Sequence, residues 1–302
     1  MRALGLRHTA GSRLVAALAA GAVLAGAVTL VTTDLADAAT TGAGSVAVLY
    51  AGSLTDVMTN VIGPGFTTST GITVNGFAGG SSALATDIKG GVQQGDVFVS
   101  ASPAVNLTLA GPTNGSWVSW YVKFATSPLV LGYNPKSTFA ADLKTQPWYK
   151  VVTKPGFLLG RTDPALDPKG VLAVQAVNAT AKNEKDPSLT SVLSSTATVF
   201  PEETLVGRLQ SGQLDAGFFY AAEAKAAGIP TVPLGSLKLS ATYTVTVLRG
   251  APNAANARAF VRYLLGPKGR AGLQTSGFVA IRPPKLVGRG APSALARLAS
   301  SG

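Results

Sequence analysis

The tightest constraint on this chain's fold is a strand–turn–helix pattern that recurs with Gly and Ser at the turn. Ser45 to Tyr50 (SVAVLY) is a short apolar run that ends in Ala51-Gly52-Ser53, and Leu54 to Ile62 then has helical spacing. Gly71 to Phe77 (GITVNGF) is a second run. It turns at Gly79-Gly80, and Ser81 opens a helix over Ser82 to Lys89. Asp96 to Ser100 (DVFVS) reads as a third strand. Short strands separated by helices of about ten residues predict parallel βαβ units.

A long extended segment follows at Lys123 to Tyr133 (KFATSPLVLGY), and a second set of α/β units begins after it. Phe157 to Arg161 is strand-like, Gly170 to Asn178 helical, Ser195 to Val199 a possible strand, and Glu202 to Gln210 a helix. Ala216 to Tyr220 (AGFFY) is a strand, followed by a helix over Ala221 to Ala227. Leu239 to Leu248 (LSATYTVTVL) alternates with period two, and Ala254 to Leu265 is helical. This order predicts two α/β lobes joined by extended crossings near 122–130 and 238–246. Lobe I then comprises 45–125 plus 241–284, lobe II comprises 126–240, and 285–302, rich in Pro, Gly, Ala and Ser, forms a flexible tail. Ligands of open α/β sheets sit beyond the carboxyl ends of the strands, so the cleft between the lobes is the expected site.

The first 38 residues stand apart from this fold. Arg2, Arg7 and Arg13 precede an apolar run from Leu14 to Leu30, and Ala36-Asp37-Ala38 fits a small-x-small cleavage site. That order predicts a secretory signal peptide over 1–38. An uncleaved membrane anchor is the alternative for a run of this length. The chain contains no Cys, so it has no lipid-bearing cysteine, disulfide or thiolate site. The expected location is therefore the periplasmic or extracellular face of the membrane, without a Cys anchor.

Composition narrows the function. With 46% hydrophobic and 13% charged residues, the chain can bury a large core. The formal net charge is +11. Removing 1–38 takes away three Arg and two Asp, leaving +10. The basic residues are scattered and form no patch interleaved with aromatics, which argues against nucleic acid. The sole His is His8, inside the predicted signal, so the mature chain lacks Ser-His-Asp, Cys-His and His-ligated zinc chemistry. That poverty in catalytic groups points to a binder rather than an enzyme, with no cofactor expected.

Ser53 and Ser81 repeat the same feature, a Ser beside Gly at a strand-to-helix turn. A helix N-terminus offers unpaired N–H groups and a positive dipole end, which suit an anion. A hydroxyl adds a neutral donor, at about 1.5–3 kcal/mol to a charged acceptor. Ordinary helix capping is the competing explanation for either Ser alone. In the segment 160–170 (GRTDPALDPKG), Asp167 is placed to cap a helix with Pro168 at its first position. Tyr220 ends the strand AGFFY and is either a cleft residue or a core aromatic.

Together these segments resemble a known family. AGSL (51–54), FAGGSSALATDI (77–88), GDVFVSAS (95–102), FATSPLVLGY (124–133), GRTDPALDPKG (160–170), LVGRLQSGQLDAGFFY (205–220) and TVTVLRGAPN (244–253) look like the molybdate/tungstate-binding proteins of ABC importers, from about Ser45 to Pro284. The resemblance implies a two-lobed type II periplasmic-binding-protein fold that closes on a tetrahedral oxyanion, with the importer's permease subunits as partners and a monomer as the working form. It carries ligand roles onto Ser53, Ser81, Tyr220 and Asp167. In the tungstate branch a Glu precedes the tyrosine and completes a carboxylate pair. Here that position is Phe219, so a hydrogen-bonded tetrahedral anion is expected, with Asp167 fixing its loop. Sulfate, thiosulfate or another small oxyanion is the alternative ligand.

Overall fold

The structure, a computed structural model, describes residues 44–300. The predicted signal peptide at 1–38 lies outside the described residues. Nine strands form one curled sheet: β1 (Ser45–Ala51), β2 (Thr73–Gly79), β3 (Val97–Ser100), β4 (Trp120–Tyr133), β5 (Leu159–Gly160), β6 (Ala216–Tyr220), β7 (Thr231–Val232), β8 (Ser240–Val247) and β9 (Val279–Gly288). Their order is β2-β1-β3-β8-β4-β6-β5, with β7 and β9 also paired to β4. The strand–helix units predicted from sequence are parallel, β1 with β2 and β3, and β5 with β6.

β4 and β8 are the two extended crossings. They run antiparallel to each other, from the pair Val122–Val245 to the pair Pro128–Ser240. β4 is buried along most of its 14 residues. Its first part pairs with β8 and β9, and its last part with β6 and β7, so one strand serves both ends of the sheet.

The helix Ala254–Leu265 shows how patterning sets the core. Ala257, Phe260, Val261 and Leu264 recur at the spacing of one helical face, and all are buried against β1 and its neighbours. Buried Asp96 fixes the entry to this helix. It accepts from the Ala47 N–H (2.8 Å), the Asn253 N–H (2.6 Å) and Asn253 Nδ2 (3.1 Å). Three donors on one carboxylate tie β1, β3 and the helix start together.

Two expectations need correction. Residues 285–302 were expected as a flexible tail, but β9 runs to Gly288 along β4 and is followed by the helix Ser293–Ser300. Leu295 and Ala299 of that helix are buried in the core. Composition misled because Pro283 and Pro284 fall where the β4–β9 ladder jumps from Lys123–Lys285 to Ala125–Ala280. Proline needs no ladder N–H at such an irregularity. Ser195–Val199 is not a strand and contributes only a single bridge, Arg161 to Val199. Among the described residues no helix is long and apolar enough to cross a membrane.

Candidate functional site

The carboxyl ends of β1 and β6, the start of the helix Ser81–Gly90 and the loop before the helix Pro168–Asn183 converge on one buried polar cluster. Ser53 lies in the tight turn Gly52–Leu54 after β1. Its Oγ accepts a hydrogen bond from the Tyr243 hydroxyl at 3.0 Å. Ser81 is the first residue of its helix, and its Oγ accepts from the Ala101 N–H at 3.1 Å, just beyond β3. Neither serine is an N-cap. Those positions fall on Ala51 and Gly80, and neither cap carries a side-chain bond. The capping explanation for the two serines is therefore set aside.

The N–H groups that open the helix Ser81–Gly90 are taken by the opposing loop. Ser82 and Ala83 both donate to the Leu166 carbonyl, at 3.1 and 3.0 Å. The positive end of the helix thus meets a backbone oxygen. Gly80 makes this approach possible, because a Cβ there would lie 2.5 Å from the Leu166 oxygen.

Asp167 caps the helix Pro168–Asn183, with Pro168 next to it in the first turn, as the sequence predicts. Its Oδ1 accepts from the Lys169 N–H (2.9 Å) and from the Thr162 hydroxyl (2.8 Å), which closes the loop on itself. Its Oδ2 is buried without a partner. Tyr220, at the end of β6, is fully buried, and its hydroxyl also lacks a partner. The Tyr220 ring meets the Tyr243 ring edge-on at 6.1 Å, so Tyr243 links Tyr220 to Ser53.

Sequence reasoning missed Lys169, Glu202, Glu223 and Tyr243. Lys169 is fully buried. Its Nζ bonds both Glu223 carboxylate oxygens, at 2.9 and 2.8 Å, and stands 3.5 Å from Glu202 Oε1. It also lies 5.6 Å from the ring centroids of Phe219 and Tyr220. Phe219, at the position where the resembling tungstate branch has Glu, presents its ring to this ammonium. Burial alone lowers the Lys169 pKa, but Glu223, Glu202 and Asp167 outweigh it and hold the ammonium above its ordinary value. Glu202 is pushed well above the usual carboxylate range by burial and then by Asp167, which Lys169 only partly offsets. Burial likewise raises the Tyr220 and Tyr243 phenols, keeping both as neutral donors.

Glu202 joins the two halves of the cluster. A Cβ on Gly52 would lie 3.1 Å from its Cγ and Oε2, which places Glu202 against the Ser53 turn. Its carboxyl also neighbours Asp167. Two grooves of about 400 and 390 Å³ open onto it. Ser53, Asp56 and Glu223 line the first, Gly80, Asp87, Asp163 and Asp167 the second, and Glu202 and Glu203 both of them. No Lys or Arg lines either groove, although the chain is strongly basic. Among the described residues no group of His, Cys, Asp and Glu could hold a metal ion.

Residues 46–279 match the family model described as bacterial extracellular solute-binding protein. The chain belongs to that family. An uncharacterised solute-binding protein of Petrotoga mobilis is 26% identical over 279 residues, covering 81% of this chain and 86% of that protein. A molybdate/tungstate-binding protein of Pyrococcus abyssi is 25% identical over 207 residues, covering 51% of this chain and 60% of that relative's length. Among solved structures, the periplasmic molybdate-binding protein of Azotobacter vinelandii superposes with a TM-score of 0.63 at 21% identity, over 78% of this chain and 98% of that one. This solute-binding protein therefore has the two-lobed type II periplasmic-binding-protein fold.

Proposed function

We propose that the protein is the substrate-binding component of an ABC importer and that its solute is molybdate or tungstate. The observation that carries this reading is the Tyr220 hydroxyl, fully buried at the end of β6 without a partner inside the protein. Two further donors support it. Ser53 and Ser81 each accept a bond from the protein through Oγ, so each hydroxyl proton is free for a solute. Three neutral hydroxyls suit an oxyanion held by hydrogen bonds. Of the two buried cations among the described residues, Lys169 is already engaged by Glu223, and Arg161 donates to the Leu193 and Ser195 carbonyls. The Pyrococcus abyssi relative, a molybdate/tungstate-binding protein, and the Azotobacter vinelandii molybdate-binding protein agree with this ligand class.

In this reading Ser53, Ser81 and Tyr220 touch the anion, and Asp167 holds the loop that delivers Leu166 to the helix start. Lobe I is 45–125 with 241–300, which takes in all of β9 and the last helix, and lobe II is 126–240. Solute binding favours the closed arrangement only by its differential affinity for that state. The protein acts as an exported monomer that delivers its cargo to permease subunits, without cofactor or catalysis. A signal peptide over 1–38 directs it out, with no lipid-bearing Cys.

Thermal unfolding with each anion in turn tests the reading. A ligand at a hundred times its Kd adds about 2.7 kcal/mol of stability. Molybdate or tungstate is expected to raise the Tm by several degrees, more than sulfate does. Equal or absent shifts for all three anions would remove the ligand assignment.

A further inference from the structure

The buried cluster contains more negative charge than it can neutralise. Asp167, Glu202 and Glu223 are all buried against Lys169, whereas the other buried cation, Arg161, donates to the Leu193 and Ser195 carbonyls. Lys169 gives two bonds to Glu223 and reaches Glu202 only at 3.5 Å. Fully ionised, the group would hold two uncompensated charges, and an unpaired buried charge normally takes up a proton instead. Asp167 Oδ2 and both Glu202 oxygens have no donor. One proton placed between the two carboxyls gives Asp167 Oδ2 and one Glu202 oxygen a partner at once. Asp167 already accepts two bonds through Oδ1, whereas Glu202 accepts none, so the proton resides on Glu202.

We propose that Glu202 and Asp167 hold one proton between them, and that neutral Glu202 is a further hydrogen-bond donor of the solute site, coupling oxyanion capture to pH. The coupling rests on the oxyanion reading above, whereas the shared proton does not. Glu202 is faced by Asp167 and Lys169 from one helix, Glu223 from a second, Tyr220 from β6, Tyr243 from β8, and the Ser53 turn. None of these groups supplies it a second cation. It lines both grooves and Ser53 lines the first of them, while its two carboxyl oxygens are buried behind that lining. Burial and the neighbouring Asp167 favour the neutral form, in agreement with the charge count. An ionised Glu202 would repel a dianion, so the acid form is the one that binds. No bond is made or broken except the hydrogen bond that Glu202 transfers from Asp167 to the solute.

Two measurements on the full-length protein test this. Infrared spectroscopy of the solute-free protein is expected to show the carbonyl stretch of a buried protonated carboxylic acid, lost in Glu202→Gln. Titration with tungstate over a range of pH in which the free anion stays a dianion is expected to show affinity falling about tenfold per pH unit above the Glu202 midpoint, as one-proton linkage requires. Glu202→Gln, which keeps an N–H donor, is expected to bind with a flat profile. Absence of the acid band in the wild-type protein overturns the shared proton, and a flat wild-type profile overturns the coupling. Both readouts exist without the variant, should Glu202→Gln fail to fold. If the band is present but molybdate, tungstate and sulfate all fail to bind, the oxyanion reading falls and the proposed donor role falls with it. Affinity that rises with pH would contradict the donor role and indicate a cationic solute.

Discussion

Replacing Lys169 with Met isolates the electrostatics of the buried cluster. Lys169 has no exposed side-chain surface, and Met fills a similar volume, so the packing against Phe219 and Tyr220 is largely kept. What is lost is two charge-assisted bonds to Glu223, at 2.9 and 2.8 Å, and the nearby cation facing Glu202. Removing one partner of a buried pair costs about 3–5 kcal/mol, because the other charge is left stranded. Lys169→Met is therefore expected to lower unfolding free energy by about 3–5 kcal/mol at neutral pH. Neutralising the stranded partner should reverse part of that loss. The double variant Lys169→Met/Glu223→Gln is expected to be at least ~2 kcal/mol more stable than Lys169→Met, since an ion pair replaced at both ends is often close to neutral. Equilibrium urea unfolding of the wild type, both single variants and the double variant gives the coupling energy directly. A loss below ~1 kcal/mol for Lys169→Met, with additive single effects, would refute the account of a tightly paired buried ammonium.

Two further predictions concern the serines and the C-terminus. Ser53→Ala leaves the buried Tyr243 hydroxyl without its acceptor, and Ser81→Ala does the same to the Ala101 N–H. Each is expected to cost about 1–3 kcal/mol in urea unfolding and to weaken oxyanion binding by about tenfold or more. Stability and affinity both unchanged would remove the serines from the site. Leu295→Ala is expected to cost about 2–5 kcal/mol, because Leu295 is buried in the core from the last helix. A change within ~0.5 kcal/mol would restore the tail to a peripheral role.

Much of this architecture was legible because local pattern and tertiary environment agree. The runs around Val48, Val99 and Phe218 are apolar enough to read as buried strands, and a Gly-Ser turn marks the carboxyl end of the first. Ala254–Leu265 was readable to the residue because its apolar spacing matches the face it buries. The C-terminal strand was not, since its pairing partner lies more than a hundred residues away on β4 and its own Pro-rich composition argues for a loop. The cluster hides for a similar reason. Glu202 looks like an ordinary acid in the first turn of a helix, and Lys169 like a solvated lysine after Asp167-Pro168. Only folding brings these groups from the starts of three helices into one water-excluded place, where the Lys169 ammonium meets Glu223 and Glu202. Tyr243 likewise sits in an alternating strand with nothing local to separate it from a core aromatic.

The central claim, that the unpartnered Tyr220 hydroxyl is completed by an oxyanion, is tested most directly by calorimetric titration of molybdate, tungstate and sulfate into the wild-type protein and Tyr220→Phe. The account predicts one-to-one binding of molybdate or tungstate to the wild type, with sulfate weaker. Tyr220→Phe should bind about 10–150-fold more weakly, equivalent to the loss of one hydrogen bond to a charged acceptor. Silence with all three anions, or equal affinity in Tyr220→Phe, would contradict it.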